Sequence, residues 1–273
     1  MSFDPIYKNE RYINFLNESN RIESIVEINY ADERWQGIRA GHFGALVESQ
    51  EAAKKSELLS IKDIKRWQKY ITEEQRPFGH HIEDEEVGHI RGPNVQKNVR
   101  VGDHIPPTWE KVPMLLSCLI EDINKELALV KEKRGIDDPH FCKLLGESFQ
   151  QFESIHPFAD GNGRVGRLLA NYIATFCGRT IIVFNSEKTQ RNIYYKAHTS
   201  KAQMCAFMAD KIKEAVFGLK GELLLKFKES EVDPTVYYKS KDDQTKLAYR
   251  WHSLEGIYDA AKHEGSQLVE RKE

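Results

Sequence analysis

The chain has 273 residues, enough for one sizeable domain with appendages or two small ones, and it is 40% hydrophobic and 30% charged, the balance of a globular protein with a buried core. Its 40 Lys and Arg against 42 Asp and Glu leave a net charge of −2, so no global electrostatic grip on nucleic acid exists. The opening residues lack an apolar signal segment, no apolar run approaches a membrane span, and mean hydropathy is −0.60. A cytoplasmic protein without membrane or nucleic-acid partners is the expectation.

Residues 1–59 are polar and helix-patterned. Ser60 is placed to cap a helix that begins at Ile61, with Ile64, Trp67 (or Gln68) and Ile71 on one face. From Arg76 to Pro113 the helical period disappears. Prolines, glycines and the acidic run Glu83–Glu86 read as loops around a short hairpin, in which Val99 and Val101 precede a Gly102-Asp103 turn. His80, His81 and His89 lie nearby without the spacing of a metal-ligand set.

Helical spacing returns from Val112 to Val130, carried by Met114, Leu115, Cys118, Leu119, Ile123 and Leu127. A second helix is predicted from about His140 to Ile155, with Phe141, Leu144, Leu145, Phe149 and Phe152 on one face. A third begins near Arg164, carries Leu168, Leu169, Tyr172, Ile173 and Phe176, and stops at Gly178. After the β-branched run Thr180–Phe184, helical pattern resumes through Tyr194 to Leu225, and Pro234 separates a last helix, Asp243–Lys262. Cys118, Cys142, Cys177 and Cys205 form no C-x-x-C, and they read as free, mostly buried thiols in a reducing compartment. The fold class is mostly α.

Chemistry concentrates in H-P-F-A-D-G-N-G-R-V-G-R, His156 to Arg167. Gly161 and Gly163 permit a tight turn whose N–H groups converge as an anion nest, and the following helix start adds its own unpaired amides and positive dipole end. Arg164 and Arg167 oppose that dipole, so stability alone does not explain them, whereas a polyphosphate does. Asp160 suits a Mg²⁺ that bridges phosphate oxygens, Asn162 is a phosphate donor, and His156 is the one neutral-pH base in the loop.

Rival readings fit less well. The string Gly161-x-Gly163-x-x-Gly166, with Glu187 about 20 residues on, satisfies a dinucleotide fingerprint, but a helix and a proline precede it where a strand is required. A phosphate-binding P-loop needs Lys-Ser/Thr where Arg167-Leu168 stands, and a calcium loop fails at Val165 and Asn171. A plain Asx-turn between helices explains Asp-Gly-Asn-Gly but neither arginine nor the histidine.

This string resembles the full signature of the Fic family, H-x-F-x-[D/E]-G-N-G-R-x-x-R. The resemblance implies a helical bundle with a small β-hairpin flap and a core over residues 60–218, flanked by an N-terminal region, 1–59, and a C-terminal helical extension, 219–273. It implies protein adenylylation: AMP passes from ATP, with Mg²⁺, to a Ser, Thr or Tyr hydroxyl of a target protein, and pyrophosphate leaves. His156 would take the hydroxyl proton and Asp160 hold the metal. Gly161, Asn162 and Gly163 would bind the α- and β-phosphates, Arg164 and Arg167 the outer ones, with Val165 and Gly166 completing the nucleotide loop. G-H-I-R, Gly88 to Arg91, followed by N-V-R-V-G-D-H, resembles the family's target-registering flap, so Val99, Val101, Gly102, Asp103 and His104 are its candidates. R-N-I-Y-Y-K-A resembles the lining of the adenine pocket, with Tyr194 and Tyr195 as candidates.

Ser19-Asn20-Arg21-Ile22-Glu23-Ser24 resembles the family's inhibitory motif, [S/T]-x-x-x-E-[G/N], apart from Ser24 at its end. In that reading Ser19 and Glu23 share a helix face and a buried Glu23–Arg167 pair blocks ATP. The competing reading is a helix-start capping box, Asn20-x-x-Glu23. Self-modification and a homodimer are further expectations. The alternatives are a Fic-fold enzyme that moves another phosphate-linked group or removes AMP, and a non-catalytic Fic-fold binding module.

Overall fold

The computed structural model describes residues 9–31, 40–78, 82–93, 95, 99–101, 104–133 and 135–229, with residues 216–229 described as backbone only. Eight α-helices occur among these residues: α1 (Glu10–Ile22), α2 (Gly41–Lys54), α3 (Ile61–Gln75), α4 (Val112–Lys133), α5 (Asp138–Ile155), α6 (Asn162–Phe176), α7 (Lys188–Ala197) and α8 (Lys201–Glu229). The chain is mostly α, as the periodicity predicts. Several boundaries have a local cause. Ser60 and Asp63 close a reciprocal capping box at the start of α3, and Asp137 accepts from the His140 amide at the start of α5. Helix α1 ends in a Schellman arrangement: the Ser24 amide donates to Arg21 O and the Ile25 amide to Asn20 O, with Ser24 at φ +62°.

Helix α6 is buried almost all round, with Val165, Leu168, Leu169, Ala170, Tyr172, Ile173 and Ala174 all at 1% exposure or less and Asn162, Arg164, Arg167 and Asn171 buried beside them. Such a helix has to sit at the centre, and α1, α2, α3 and α5 pack against it. Helix α8 lies along α5, where Gly146 faces the Cys205 backbone so closely that a Cβ would stand 2.7 Å from the Cys205 Cα. One hydrophobic cluster runs from Phe15 of α1 to Ile212 of α8, so the N-terminal helix shares one core with the helices that follow.

Several expectations shift. On α4 the buried stripe is Val112, Leu116, Leu119, Ile120, Ile123, Leu127 and Val130, while Met114 and Cys118 face solvent. Apolar residues occupy both faces of this helix, so periodicity alone left its phase open. The pattern from Tyr194 onward divides at residues 198–200 into α7 and α8. Thr180–Phe184 forms no strand: the Asn171 side chain takes both the Ile182 N–H and its C=O, which substitutes for a ladder. In the flap segment the described residues show only two isolated antiparallel bridges, Gly92 with Val95 and Val101 with His104. Val99 is half-buried and pairs with no strand; Gly102 and Asp103 lie outside the described residues, as do His80, His81 and the segment Asp243–Lys262.

Candidate active site

Helix α5 stops at His156, whose backbone is left-handed (φ +49°, ψ +64°) and whose amide still closes the last turn on Phe152 O. The chain turns through Pro157–Asp160, and α6 starts at Asn162 behind Gly161, which has φ +83°. Gly161 offers no side-chain cap, so the first-turn amides of α6 are left for another acceptor. Asn162 locks the turn: its Oδ1 accepts from the Phe158 amide and its Nδ2 donates to Phe158 O, both at 2.9 Å. It is 2% exposed, and its amide oxygen and one of its two amide N–H donors hold the loop that shapes the cradle. Val165 is wholly buried in the core, and Gly166 faces α5, where a Cβ would meet Glu153 Oε1 at 2.1 Å. These two positions serve helix packing instead of reaching the cradle.

Asp160 projects from the rim, with about half its side chain exposed. Its Oδ2 accepts from the Gln75 Nε2 and lies 3.5 Å from Arg164 Nη2, while its carbonyl accepts from Gln68 Nε2 at 3.2 Å. Among the described residues no three His, Cys, Asp or Glu converge as a cage. The donor set fits Mg²⁺ all the same, because this ion is held by one or two carboxylates together with substrate phosphates. Gln68 was expected only as an alternative to Trp67 on the face of this helix, and Gln75 was not singled out. Their signal was present as polar residues in the apolar phase of α3.

The two arginines differ. Arg164 is 3% exposed, and burial lowers its affinity for the proton although Asp160 and Glu23 draw the other way. Arg167 is fully buried and makes four hydrogen bonds. Its Nε donates to Ser19 Oγ at 2.9 Å, Nη1 to the Tyr194 hydroxyl at 3.1 Å, and Nη2 to Ser19 O at 2.8 Å and Glu23 Oε1 at 2.7 Å. Glu23 is therefore joined to Arg167, though a third of its side chain stays exposed and the pair is only half-buried. Glu23 sits just past the end of α1 as its C-cap, and Asn20 is inside the helix with its Oδ1 on His42 Nδ1. A capping box at a helix start is thereby excluded. The Glu23 carboxylate also covers the nest: a Cβ on Gly163 would fall 2.3 Å from Glu23 Oε1.

Tyr194 is 3% exposed, and its hydroxyl is engaged by Arg167, so it acts on the arginine and offers no free edge to adenine. Tyr195 is half-exposed, with its hydroxyl 3.4 Å from Ile22 O. Burial first, then the Arg91 guanidinium, pushes the His156 imidazole down to about 4. Its Nδ1 is shut away from solvent without a hydrogen-bond partner among the described residues, while the Glu153 backbone favours the protonated ring. Glu153 has an enclosed Oε1 without a hydrogen-bond partner among the described residues, and burial raises its carboxyl to about 8 against the pull of Arg167.

The family model for Fic/DOC matches residues 58–174, which contain this loop. A protein adenylyltransferase Fic of Aedes aegypti is 28% identical over 141 residues, 52% of this chain and 24% of that protein. A probable protein adenylyltransferase of Aquifex aeolicus is 36% identical over 106 residues, 36% of this chain and 30% of its own length. The matched region thus spans about a quarter to a third of these relatives. In solved structures the fold resembles a Fic domain containing signaling protein from Bacteroides thetaiotaomicron (TM-score 0.55, 17% identity, 97% of this chain and 91% of that one). It also resembles Fic-1 from C. elegans (TM-score 0.55, 20% identity, 81% and 68%). Its loop signature and these matches show a Fic/DOC domain at residues 58–174, on a helical fold like that of solved Fic-domain structures.

Proposed function

We propose that the chain is a protein adenylyltransferase held inactive by its own Glu23. The observation that carries this is the carboxylate of Glu23 seated on Arg167 and over Gly163. An internal anion there supports reading the Gly161–Arg167 cradle as an anion site and reading Glu23 as its competitor. When Glu23 withdraws, Arg167 and the amides of α6 are free to take the β- and γ-phosphates of ATP, and Asp160 would hold Mg²⁺, which neutralises phosphate charge when bound. The target hydroxyl oxygen then bonds the α-phosphorus, its proton passes to His156 Nε2, and the bond to the β-phosphate oxygen breaks to release pyrophosphate. The negative phosphates beside His156 raise its proton affinity from the low value that burial imposes, which matches the base to its task.

The test is label transfer from ATP by full-length wild type and Glu23→Gly, compared at equal folded fraction. Glu23→Gly is expected to label itself or an added protein at least about tenfold faster, since one charge-assisted contact and its repulsion are worth more than 1.4 kcal/mol. Adding His156→Ala is expected to lower transfer by about 10²-fold or more while ATP binding persists. No gain in Glu23→Gly overturns the inhibitory reading. Equal or faster transfer of another group from UTP or a phosphocholine donor overturns the adenylyl assignment.

A further inference from the structure

We infer that Arg91 is a positioning residue for His156, fixing the left-handed backbone that aims the imidazole and tying it to the segment that carries Val101 and His104. The last carbonyls of a helix have no partner within the helix, and a left-handed exit turns them outward. At the end of α5 these acceptors are met from one segment. His104 Nε2 contacts Ser154 O at 2.9 Å. Arg91 Nη2 donates to Ile155 O at 3.0 Å and its Nε to His156 O at 2.9 Å. The Arg91 amide donates to Pro157 O at 2.7 Å. Four consecutive carbonyls, Ser154 to Pro157, are therefore occupied by residues 91 and 104.

A histidine at φ +49° is a costly backbone state that survives only where its surroundings over-determine it. Arg91 supplies that determination. It is 1% exposed, and Nη2 also reaches Pro107 O at 3.0 Å, so one planar fork bridges both sides of the segment 92–106 to the catalytic turn. A lysine, with one point of charge and no fork, cannot hold three carbonyls in this geometry. The guanidinium also stands at the negative end of the α5 dipole and close to the imidazole, where it disfavours a proton on His156. The other groups facing that ring are Glu23 and the Glu153 carbonyl, which favour the proton, and His104, which opposes it. A peptide that moves the Val101–His104 bridge thus pulls on the backbone of the base.

The kinetic part of this inference rests on the adenylyl-transfer reading; a second readout does not. Full-length Glu23→Gly protein, alone and with Arg91→Gln or Arg91→Lys, is titrated by NMR of ¹³C-labelled histidine and assayed for label from ATP. Arg91→Gln is expected to move the His156 midpoint upward by at least about half a pH unit and to leave His198 in place. His198 is the internal control, since it is pushed down to about 4 by burial and by groups other than Arg91. Arg91→Lys keeps the charge and is expected to hold the His156 midpoint low, yet to lose about tenfold or more in the transfer rate with KM for ATP within about threefold. Merely structural glue predicts that both histidines drift together toward solvent values, or that neither moves; either result overturns the assignment. Unchanged transfer rates in both variants overturn it as well. If Arg91→Gln does not fold, the Arg91→Lys rate decides. If the parent takes no label at all, adenylyl transfer is refuted and the two midpoints alone judge Arg91.

Discussion

At the scale of single residues, Arg167 decides how the site is read. A buried guanidinium calls for partners, and Ser19, Tyr194 and Glu23 together take four hydrogen bonds from it. Ser19 and Tyr194 are buried and stay with the arginine, whereas Glu23 is the partner with a third of its side chain in solvent. Leaving is easiest for that one, which is what a displaceable inhibitor requires. Tyr194 distinguishes two roles by experiment. If it lined an adenine pocket, Tyr194→Phe would alter the preference of ATP over GTP. Acting through Arg167, it is expected to cost about 1–3 kcal/mol of stability, because a buried charged donor loses its acceptor. In the Glu23→Gly protein the same change should raise KM for ATP severalfold while the ATP-to-GTP ratio stays constant. Thermal melts and parallel titrations of the two nucleotides check both statements.

At the scale of elements, the stop of α1 sets where Glu23 can reach. Ser24 holds the left-handed position that completes the Schellman pair, a position that a glycine or an amide residue fills with less strain. Ser24→Gly is expected to stabilise the chain by about 0.5–1 kcal/mol and to lower basal labelling, whereas Ser24→Val should destabilise it by about 1–2 kcal/mol and raise labelling. Basal label from ATP, measured beside denaturant midpoints, reads the coupling. Such boundaries were legible in the sequence where one residue marks them: the Ser60 cap and the stop at Gly178 follow from local chemistry alone, whereas the Asp137 cap of α5, ahead of the expected start near His140, was not singled out. The loop His156–Arg167 was legible because its glycines, charges and histidine have few joint uses. The phase of α4 was not, since Met114 and Cys118 continue an apolar pattern that the core does not use. Nor were the duties of Asn162, Gly166 and Tyr194, which depend on residues 4 to 27 positions away that only the packed helices bring near.

At the scale of the whole molecule, burying a polar site inside one continuous core leaves a signature in how stability responds to pH. His156 and His198 are held near 4, against about 6.5 for an exposed imidazole. Below about pH 6.5 the unfolded chain binds protons that the folded chain refuses, so stability is lost as pH falls from there toward 4. Glu153 works in the opposite direction. Its carboxyl is raised to about 8 from an ordinary value of 4.5, so between these limits the folded chain holds a proton that the unfolded chain has released. That contribution is complete below 4.5 and is lost as pH rises through 8. The two trends together place the optimum between them, at about pH 6.5. Glu153→Gln separates them, because the amide resembles the protonated acid and cannot ionise. The variant is expected to melt several degrees higher than wild type at pH 8, by about 3–6 °C, and within about 2 °C of it at pH 5. Its acid limb, set by the histidines, should be unchanged. Were Glu153 instead ionised and supporting Arg167, the amide would melt lower at pH 8 and match wild type only in acid, so melting curves at the two pH values give opposite signs for the two states of this carboxyl.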